Sequence, residues 1–432
     1  MGWAVGVLNP LENALNELFN ECGSAAFDSW ELTWSFTTGL WTIGGIACGL
    51  TTAIAPVYLN EIAPINLKGL FGNLNQFTCV IGILFVWVVG LKQVSGAMDC
   101  QVPLDEKFEC RVGEEDIGAI NRFSLTLGLP LVFCAIQIII LPFIWESPAH
   151  LAKFSPERAA KAADYYAAEI EKDTEEDRQV HPRLGCCEPL FIKPLIAVVI
   201  LHLSQQLTGI NAIFFYSTQI FTSAGVSDPE VATCLIGVVS IIFCGASLWL
   251  VGCAGGKTLH MYGIGLIGIC AGVIALLLGV FQGDDDFDNQ AAISICSIVF
   301  VLVFTAIFQS GPGPIPWGMA TQLFDDTNRS RATAIGSLVN WGANTAIAFG
   351  FPLLEAVMGG HVFWIFCGFN FFFFFMVMIF VPETKDKTLR EIQAFFVPSI
   401  LNEEETLPKY NEAFKTEETK EDKNFGRKEY AF

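Results

Sequence analysis

The sequence predicts an all-α membrane protein with about nine transmembrane helices. Of its 432 residues, 53% are hydrophobic and only 16% are charged, and the mean hydropathy is +0.50. A soluble protein of this size carries about 25% charged residues. Apolar stretches of roughly 18 or more residues recur along the chain, and that is the length a helix needs to cross a hydrocarbon layer of about 30 Å. A soluble core would need buried helices of this length in series, whereas an ordinary helix has about 11 residues.

Nine apolar segments account for this composition. The sequence predicts spans at about 31–58, 69–92, 119–145, 192–217, 230–251, 259–281, 290–310 with a Gly/Pro-broken extension to 324, 331–357 and 361–381.

Lysine and arginine residues orient these spans, because the loops that carry them stay in the cytoplasm. About twenty of them lie in the segment 146–191, the loops 253–258 and 325–331, and the tail after 382. The opposite side carries only Lys92, Lys107, Arg111 and Arg122. The C-terminus is therefore predicted to be cytoplasmic and, with nine spans, the N-terminus extracellular.

One span carries an unusual polar stretch, SQQLTGINAIFFYS at 204–217. Gln205 and Asn211 share one helix face, Gln206 borders that face, and Gly209 lies where a helix can break and expose backbone groups. Amide side chains both donate and accept hydrogen bonds, so they suit a neutral ligand rich in hydroxyl groups. The alternative is an interhelical hydrogen bond, which contributes about 0.6 kcal/mol on average.

Further polar groups lie in other spans. The segment GPGPIPW at 311–317 cannot form a regular helix, and a broken helix at membrane depth lines a cavity or is buried in protein. With this segment, Gln and Asn side chains in several spans predict a cavity for a small polyol. The contributing residues are Thr52, Gln76, Gln309, Trp317, Asn340, Trp341 and Asn344.

The sequence gives no support for an enzyme. The five histidines are scattered, and neither a Ser/His/Asp arrangement nor a metal-spaced set of ligands emerges. We therefore expect no cofactor and no metal. The net charge of −20 resides in loops and the tail, so no nucleic-acid partner is expected.

Several motifs together resemble a known family. They are PVYLNEIAP with LKG (56–69), ESP (146–148), the stretch 204–217, GPGPIPW (311–317), NW (340–341) and VPETKDKT (381–388). In this order they resemble the facilitative hexose transporters, the GLUT-type sugar-porter branch of the major facilitator superfamily. The resemblance implies the major facilitator fold of two six-helix bundles, a sugar site at the membrane midplane and alternating access.

The resemblance also implies roles for individual residues. The implied sugar-binding residues are Gln76, Thr52, Gln205, Gln206, Ile210, Asn211, Gln309, Gly313, Trp317, Asn340, Trp341 and Asn344. The implied outer gate is Phe215 with Tyr216, and the implied cytoplasmic latch consists of Glu61, Lys68, Glu146, Arg329 and Glu383.

The N-terminal part departs from the family pattern. The span 31–58 begins like the family's second span and ends like its fourth, so about 60 residues of the implied pattern are absent between them. The predicted regions are 1–30, an extracellular remnant of a first span and loop; 31–145, an incomplete N-terminal bundle; 146–191, a cytoplasmic helical linker; 192–382, a complete C-terminal six-helix bundle; and 383–432, a disordered cytoplasmic tail.

These features predict facilitative uniport of a hexose such as glucose, in the plasma membrane, with the sugar and the lipid bilayer as partners. Uniport is favoured because Ala4 aligns with an aspartate of proton-coupled relatives and Gln309 is neutral. The alternative is a truncated non-transporting isoform or a sugar-binding membrane sensor. His202 replaces the glutamine of a QLS motif typical of glucose-preferring members, so glucose and fructose both stay open. No oligomeric state is predicted.

Overall fold

The computed structural model describes ten segments of the chain. They are residues 54–55, 57–59, 61–63, 68–90, 132, 135–152, 154–166, 184–223, 225–281 and 290–398. All regular secondary structure among these residues is helical, which confirms the predicted all-α class. Most of the predicted spans 31–58 and 119–145 lies outside the described residues.

Helix α1, Lys68–Gly90, corresponds to the predicted span 69–92. Val80, Ile83 and Trp87 are buried at helical spacing, while Phe85 between them is 45% exposed. The helix therefore has one face for protein and one for lipid. It lies against the helix Pro229–Ala254 at Gly237, where an added Cβ would be only 2.7 Å from the Leu84 side chain.

The region after α1 contains short helices. A 3₁₀ turn at Leu141–Phe143 precedes α2, Pro148–Ala152, and α3, Pro156–Tyr166. Helix α3 buries three alanines on one side, and its exposed side carries the ion pair Lys161–Glu157 at 3.3 Å.

The rest of the membrane region contains eight helices. They are α4, Pro189–Gln206; α5, Ile210–Ser223; α6, Pro229–Ala254; α7, Gly256–Leu276; α8, Gln290–Ser310; α9, Ile315–Gln322; α10, Asp326–Met358; and α11, Phe363–Phe380. Helices α4 and α5 are two halves of one broken span, as are α8 and α9. A π-helical turn, Leu277–Phe281, extends α7.

Five apolar segments among the described residues are long enough to cross a membrane. The last of them, Asn328–Phe380, has 53 residues and contains both α10 and α11, joined by the 3₁₀ turn Gly359–Val362. Since about 20 residues suffice for one crossing, this segment provides two spans. The six spans predicted between 192 and 381 all coincide with helices.

The predicted loops at 253–258 and 325–331 are wrong in their extent. Helix α7 already begins at Gly256, because Gly255 adopts a positive φ of 85° and redirects the chain within one residue. Helix α10 begins at Asp326, so Arg329 and Arg331 lie in its first turns. An acidic residue at the first position of a helix is favoured by the helix dipole.

A final helix, α12, Leu389–Phe396, lies in the region predicted as a disordered tail. Thr388 and Glu391 form a capping box, and the hydrogen bonds from Thr388 lower the pKa of the Glu391 carboxyl. Lys193 Nζ donates to the carbonyl of Phe396 at 2.9 Å and ties α12 to α4. The division of the chain into the five regions proposed above stays a prediction.

Candidate functional site

The first helix break separates α4 from α5 at residues 207–209. Gly209 has a φ of 95°, a conformation that costs a residue with a side chain about 1–2 kcal/mol. An added Cβ there would also be 2.8 Å from the Phe366 ring. The helix does break at Gly209, and glycine is required there for both conformation and space.

The second helix break separates α8 from α9 at residues 311–314. The amide N–H of Gly313 donates to the carbonyl of Phe308 at 2.8 Å, which closes a turn after α8. Gly311 permits a close approach of backbone, because an added Cβ would be 2.7 Å from the carbonyl oxygen of Leu259. The prolines around these glycines lack the N–H group that a continuous helix requires.

Five buried amide side chains meet between the two breaks, and we call them the amide cluster: Gln205, Gln206, Asn211, Asn340 and Asn344. Each is at most 7% exposed. Gln206 is the centre, because its Nε2 donates to Asn340 Oδ1 at 2.9 Å and to Gln205 Oε1 at 3.2 Å. Its Oε1 accepts from Asn344 Nδ2 at 3.3 Å and also from Asn211 Nδ2. Asn340 Nδ2 donates to Gln205 Oε1 at 2.6 Å.

The amide cluster reaches the second break and approaches α1. Gln205 Nε2 donates to the carbonyl of Gly313, as expected if both residues line one site. Gln309 approaches Gly313, where an added Cβ would be 3.0 Å from its Oε1, and the same oxygen accepts a long hydrogen bond of 3.5 Å from Gln76 Nε2 of α1. The structure thus brings together side chains from four predicted spans.

Two polar atoms in this region have no hydrogen-bond partner among the described residues. They are Gln309 Nε2, a donor, and Asn344 Oδ1, an acceptor, and both are buried. A buried polar atom without a partner costs about 1–3 kcal/mol. The site therefore offers one donor and one acceptor to a ligand that carries both kinds of group.

His202 also belongs to this site, although in the sequence it stands out only because it replaces the glutamine of the QLS motif. Its Nδ1 lies 3.1 Å from Asn340 Nδ2 and accepts a hydrogen bond from that amide. Its ring meets the Trp317 ring edge-to-face at 4.9 Å between centroids. The helical spacing of three residues between His202 and Gln205 is the signal that places both on one face.

Of the other predicted sugar-binding residues, three are buried side chains and one lies outside the described residues. Ile210, Trp317 and Trp341 are buried, at 2%, 5% and 6% exposure. Thr52 lies outside the described residues.

The predicted gate residues are anchored to α10 and to each other. Tyr216 interrupts the helical geometry of α5 with φ −126° and ψ 17°. Its hydroxyl donates to the carbonyl of Ala348 at 2.8 Å, and its ring stacks on Phe351 at 5.0 Å. Phe215 meets the Tyr216 ring edge-to-face at 6.2 Å. A gating role for this pair stays a prediction.

Two predicted latch residues, Glu383 and Arg329, make hydrogen bonds to backbone groups at the ends of neighbouring helices. Glu383 accepts from the backbone N–H of Lys257 at 3.4 Å and of Thr258 at 3.2 Å, at the N-terminus of α7. Arg329 Nε donates to the carbonyl of Thr321 at 2.7 Å, near the end of α9.

The latch residues of the N-terminal part are described less fully. Glu61 accepts from the Ser147 hydroxyl, and Glu146 is exposed. The side chain of Lys68 lies outside the description. The role of these residues in holding two bundles together stays a prediction.

A cavity of about 320 Å³ lies away from the amide cluster, at the end of α10, where Phe351, Glu355 and His361 are among its lining residues. Apart from Asn344 Oδ1, the amide groups of the cluster bond to one another or to neighbouring backbone, so a ligand that binds there would replace some of these bonds.

Comparison with known proteins supports the predicted resemblance. Residues 22–396 match the model of a family described as Sugar (and other) transporter. Over 376 residues the chain is 36% identical to facilitated glucose transporter member 4 of solute carrier family 2 from Homo sapiens, a match covering 83% of this chain and 68% of that protein. Member 3 from Mus musculus is 35% identical over 368 residues, covering 82% and 69%.

Solved structures of the same fold are also similar. The chain matches the major facilitator superfamily proton:xylose symporter XylE bound to 6-bromo-6-deoxy-D-glucose with a TM-score of 0.69 and 20% identity, over 91% of this chain and 96% of that one. The inward-open form of XylE from E. coli gives a TM-score of 0.60 and 19% identity, over 91% and 96%. This likeness confirms the predicted major facilitator fold.

Proposed function

The chain belongs to the Sugar (and other) transporter family, and from this premise we propose that it carries a hexose such as glucose by uniport. It is an integral membrane protein of a sugar-transporting family and not an enzyme. The observation that carries the proposal is the amide cluster between two helix breaks, with an open donor on Gln309 and an open acceptor on Asn344.

The chemistry of the cluster suits a sugar. Each hexose hydroxyl donates one hydrogen bond and accepts others, as the Gln and Asn amides do. A hydroxyl that replaces an amide partner conserves the number of hydrogen bonds, and the net gain or loss per bond is only about 0.5–1.5 kcal/mol. Binding is therefore reversible, which a carrier requires. Trp317 and Trp341 supply apolar faces for the C–H groups of the ring.

The two breaks support alternating access. Broken spans divide a membrane helix into halves that tilt separately, while the exposed backbone groups contact the ligand. Asn211 lies on α5 and Gln206 on α4, so the bond between them crosses the first break. A tilt of α5 would therefore change the sugar-binding groups directly.

Uniport is supported by the neutrality of the contacts around Gln309. A side chain that carries a proton through a transport cycle must change its charge, and neither Gln309 nor its partner Gln76 can do so. Sugar uptake that persists after a protonophore has dissipated the pH gradient would support uniport, and uptake lost under that treatment would contradict it.

We further propose that the protein resides in the plasma membrane with its C-terminus in the cytoplasm. The lysine and arginine residues at this end of the helices support that orientation, and several hold helix ends. Lys257 Nζ donates to the carbonyl of Met378 at 2.9 Å, and Lys385 Nζ donates to that of Cys253 at 2.9 Å. An epitope tag at the C-terminus tests the orientation. We expect an antibody to reach this tag only after the cells are permeabilised, and labelling of intact cells would contradict the orientation.

The transport proposal is tested by uptake of labelled glucose and fructose in transporter-null cells, with surface expression confirmed. We expect saturable uptake by the chain and at least a tenfold reduction in Gln205→Ala, because this change removes the bonds to Gly313 and Asn340. Thr305→Val is the matched control, since Thr305 Oγ1 donates only within its own helix, to Val301 at 2.9 Å.

Two results would contradict the proposal in different ways. Saturable glucose binding without uptake, in a protein present at the surface, would favour a sugar-binding sensor or non-transporting isoform. Uptake that is equal in Gln205→Ala and in the chain itself would mean that the amide cluster is not the transport site.

A further inference from the structure

Helix α11 contains one residue that does not fit its apolar composition. Its sequence is FWIFCGFNFFFFFMVMIF, and Asn370 is the only residue with an amide, hydroxyl or charged side chain. Asn370 is 1% exposed, whereas the neighbouring Phe372 is 52% exposed. A polar side chain inside a membrane span is costly unless it has a partner, so its presence indicates a specific contact.

That contact is with the first helix break. Asn370 Nδ2 donates to the carbonyl of Thr208 at 3.1 Å, 162 residues away along the chain. It also donates to the carbonyl of Phe366 in its own helix, at 2.7 Å. The bond within α11 would satisfy one donor of the amide, so the bond to Thr208 is an additional link between α11 and the break. Carbonyls at a helix end lack an intrahelical donor and need such a partner.

Phe366 contacts the same break from one turn earlier in α11. Its ring lies so close to Gly209 that an added Cβ would be 2.8 Å from it. Phe366 and Asn370 therefore hold two consecutive residues of the break, one by packing and one by a hydrogen bond. On the far side, α7 approaches Asn370 at Gly268, where an added Cβ would be 3.1 Å from Asn370 Cβ. The Asn370 side chain therefore lies between α7 and the break.

We propose that Asn370 is a positioning residue for the sugar site: it fixes the break between α4 and α5 and thereby the placement of Asn211 against Gln206. Among the described residues, Asn370 bonds to Thr208 and Phe366 and to no member of the amide cluster, so it acts through Thr208 and not on the sugar. The link to sugar rests on the proposed function, while the link to the break does not.

The link to the break is tested by hydrogen–deuterium exchange of the purified chain in lipid nanodiscs. In Asn370→Leu we expect the amides of residues 207–213 to exchange about threefold faster, the effect of an average hydrogen bond in a membrane. Phe372→Leu, a lipid-facing change in the same helix, is expected to leave these amides unchanged.

A second variant guards against a packing artefact. In Asn370→Thr the new hydroxyl bonds to the carbonyl four residues earlier, as Thr side chains do in helices. The new side chain is too short to reach Thr208. We expect the same local acceleration. Unchanged exchange at 207–213 in both variants, or equal acceleration throughout α4, α7 and α11, would overturn the proposal.

The positioning role is tested by the apparent KM for glucose. We expect it to rise about threefold in both Asn370 variants and to stay unchanged in Phe372→Leu. Faster exchange at the break with an unchanged KM would overturn the positioning role. If the unmodified chain neither binds nor transports sugar, the proposed function fails, while the exchange result still decides whether Asn370 holds the break.

Discussion

The two helix breaks are built by different means, although each contains glycine at its narrowest point. Between α4 and α5, Gly209 adopts a positive φ beside the Phe366 ring of α11, and Asn370 of the same helix donates to the carbonyl of Thr208. Between α8 and α9, Gly311 lies against backbone, the carbonyl of Leu259, and glycines and prolines make up the whole turn. Helix α7 also packs closely on Pro312 of this second break, because an added Cβ at Gly263 would be 2.6 Å from the proline ring.

This difference indicates different mobility. A contact between a backbone and side chains can adjust through rotation of the side chains, whereas a contact between two backbones changes only if whole helices move. The first break is therefore held by side chains of α11, whereas the second depends on the packing of whole helices. The amide cluster spans both, since Gln205 bonds to the carbonyl of Gly313 and Gln206 bonds to Asn211.

The largest expected effect is that of Gly209→Ala. The positive φ costs about 1–2 kcal/mol, and the clash with Phe366 adds about 1–3 kcal/mol. We expect a marked fall in the thermal unfolding temperature of the purified protein. Adding Phe366→Leu should recover the steric part and leave the backbone part. A full recovery in the double variant would mean that the backbone conformation at Gly209 carries no strain, which would contradict the account of this break.

A smaller loss of stability is expected for Gly311→Ala. Only the clash with the Leu259 carbonyl applies, because Gly311 has no positive φ, and overpacking costs about 1–3 kcal/mol. Here no side chain can be trimmed to relieve the clash. Gly342→Ala in α10 is the control, since nothing lies within 4 Å of the added Cβ. Equal unfolding temperatures for Gly209→Ala and Gly311→Ala would remove the distinction between the two breaks.

Local patterns predicted much of this arrangement. Apolar length predicted the spans, and the glycine and proline content of 311–317 predicted the second break. The polar stripe with Gly209 predicted that Gln205 and Asn211 share one helix face, at a point where the helix can break. Each of these features is encoded within one or two helical turns, where spacing alone determines which residues share a face.

Contacts between distant segments were not predictable in the same way. Gln206 bonds to Asn340, 134 residues away, and this pairing makes Gln206 the centre of the cluster although the sequence placed it at the border of the stripe. The bond from His202 to Asn340 and that from Asn370 to Thr208 are also set by helix packing. The early start of α10 at Asp326 escaped prediction because the apolar span begins later than the helix.

Binding of labelled glucose tests whether the amide cluster is the sugar site. It is measured on the purified chain and on Gln206→Leu, each in nanodiscs. Leucine is apolar and makes none of the bonds to Gln205, Asn211, Asn340 and Asn344. We expect saturable binding that weakens at least tenfold in Gln206→Leu and stays unchanged in Thr305→Val. Equal affinity in all three proteins would contradict the assignment of the amide cluster as the sugar site.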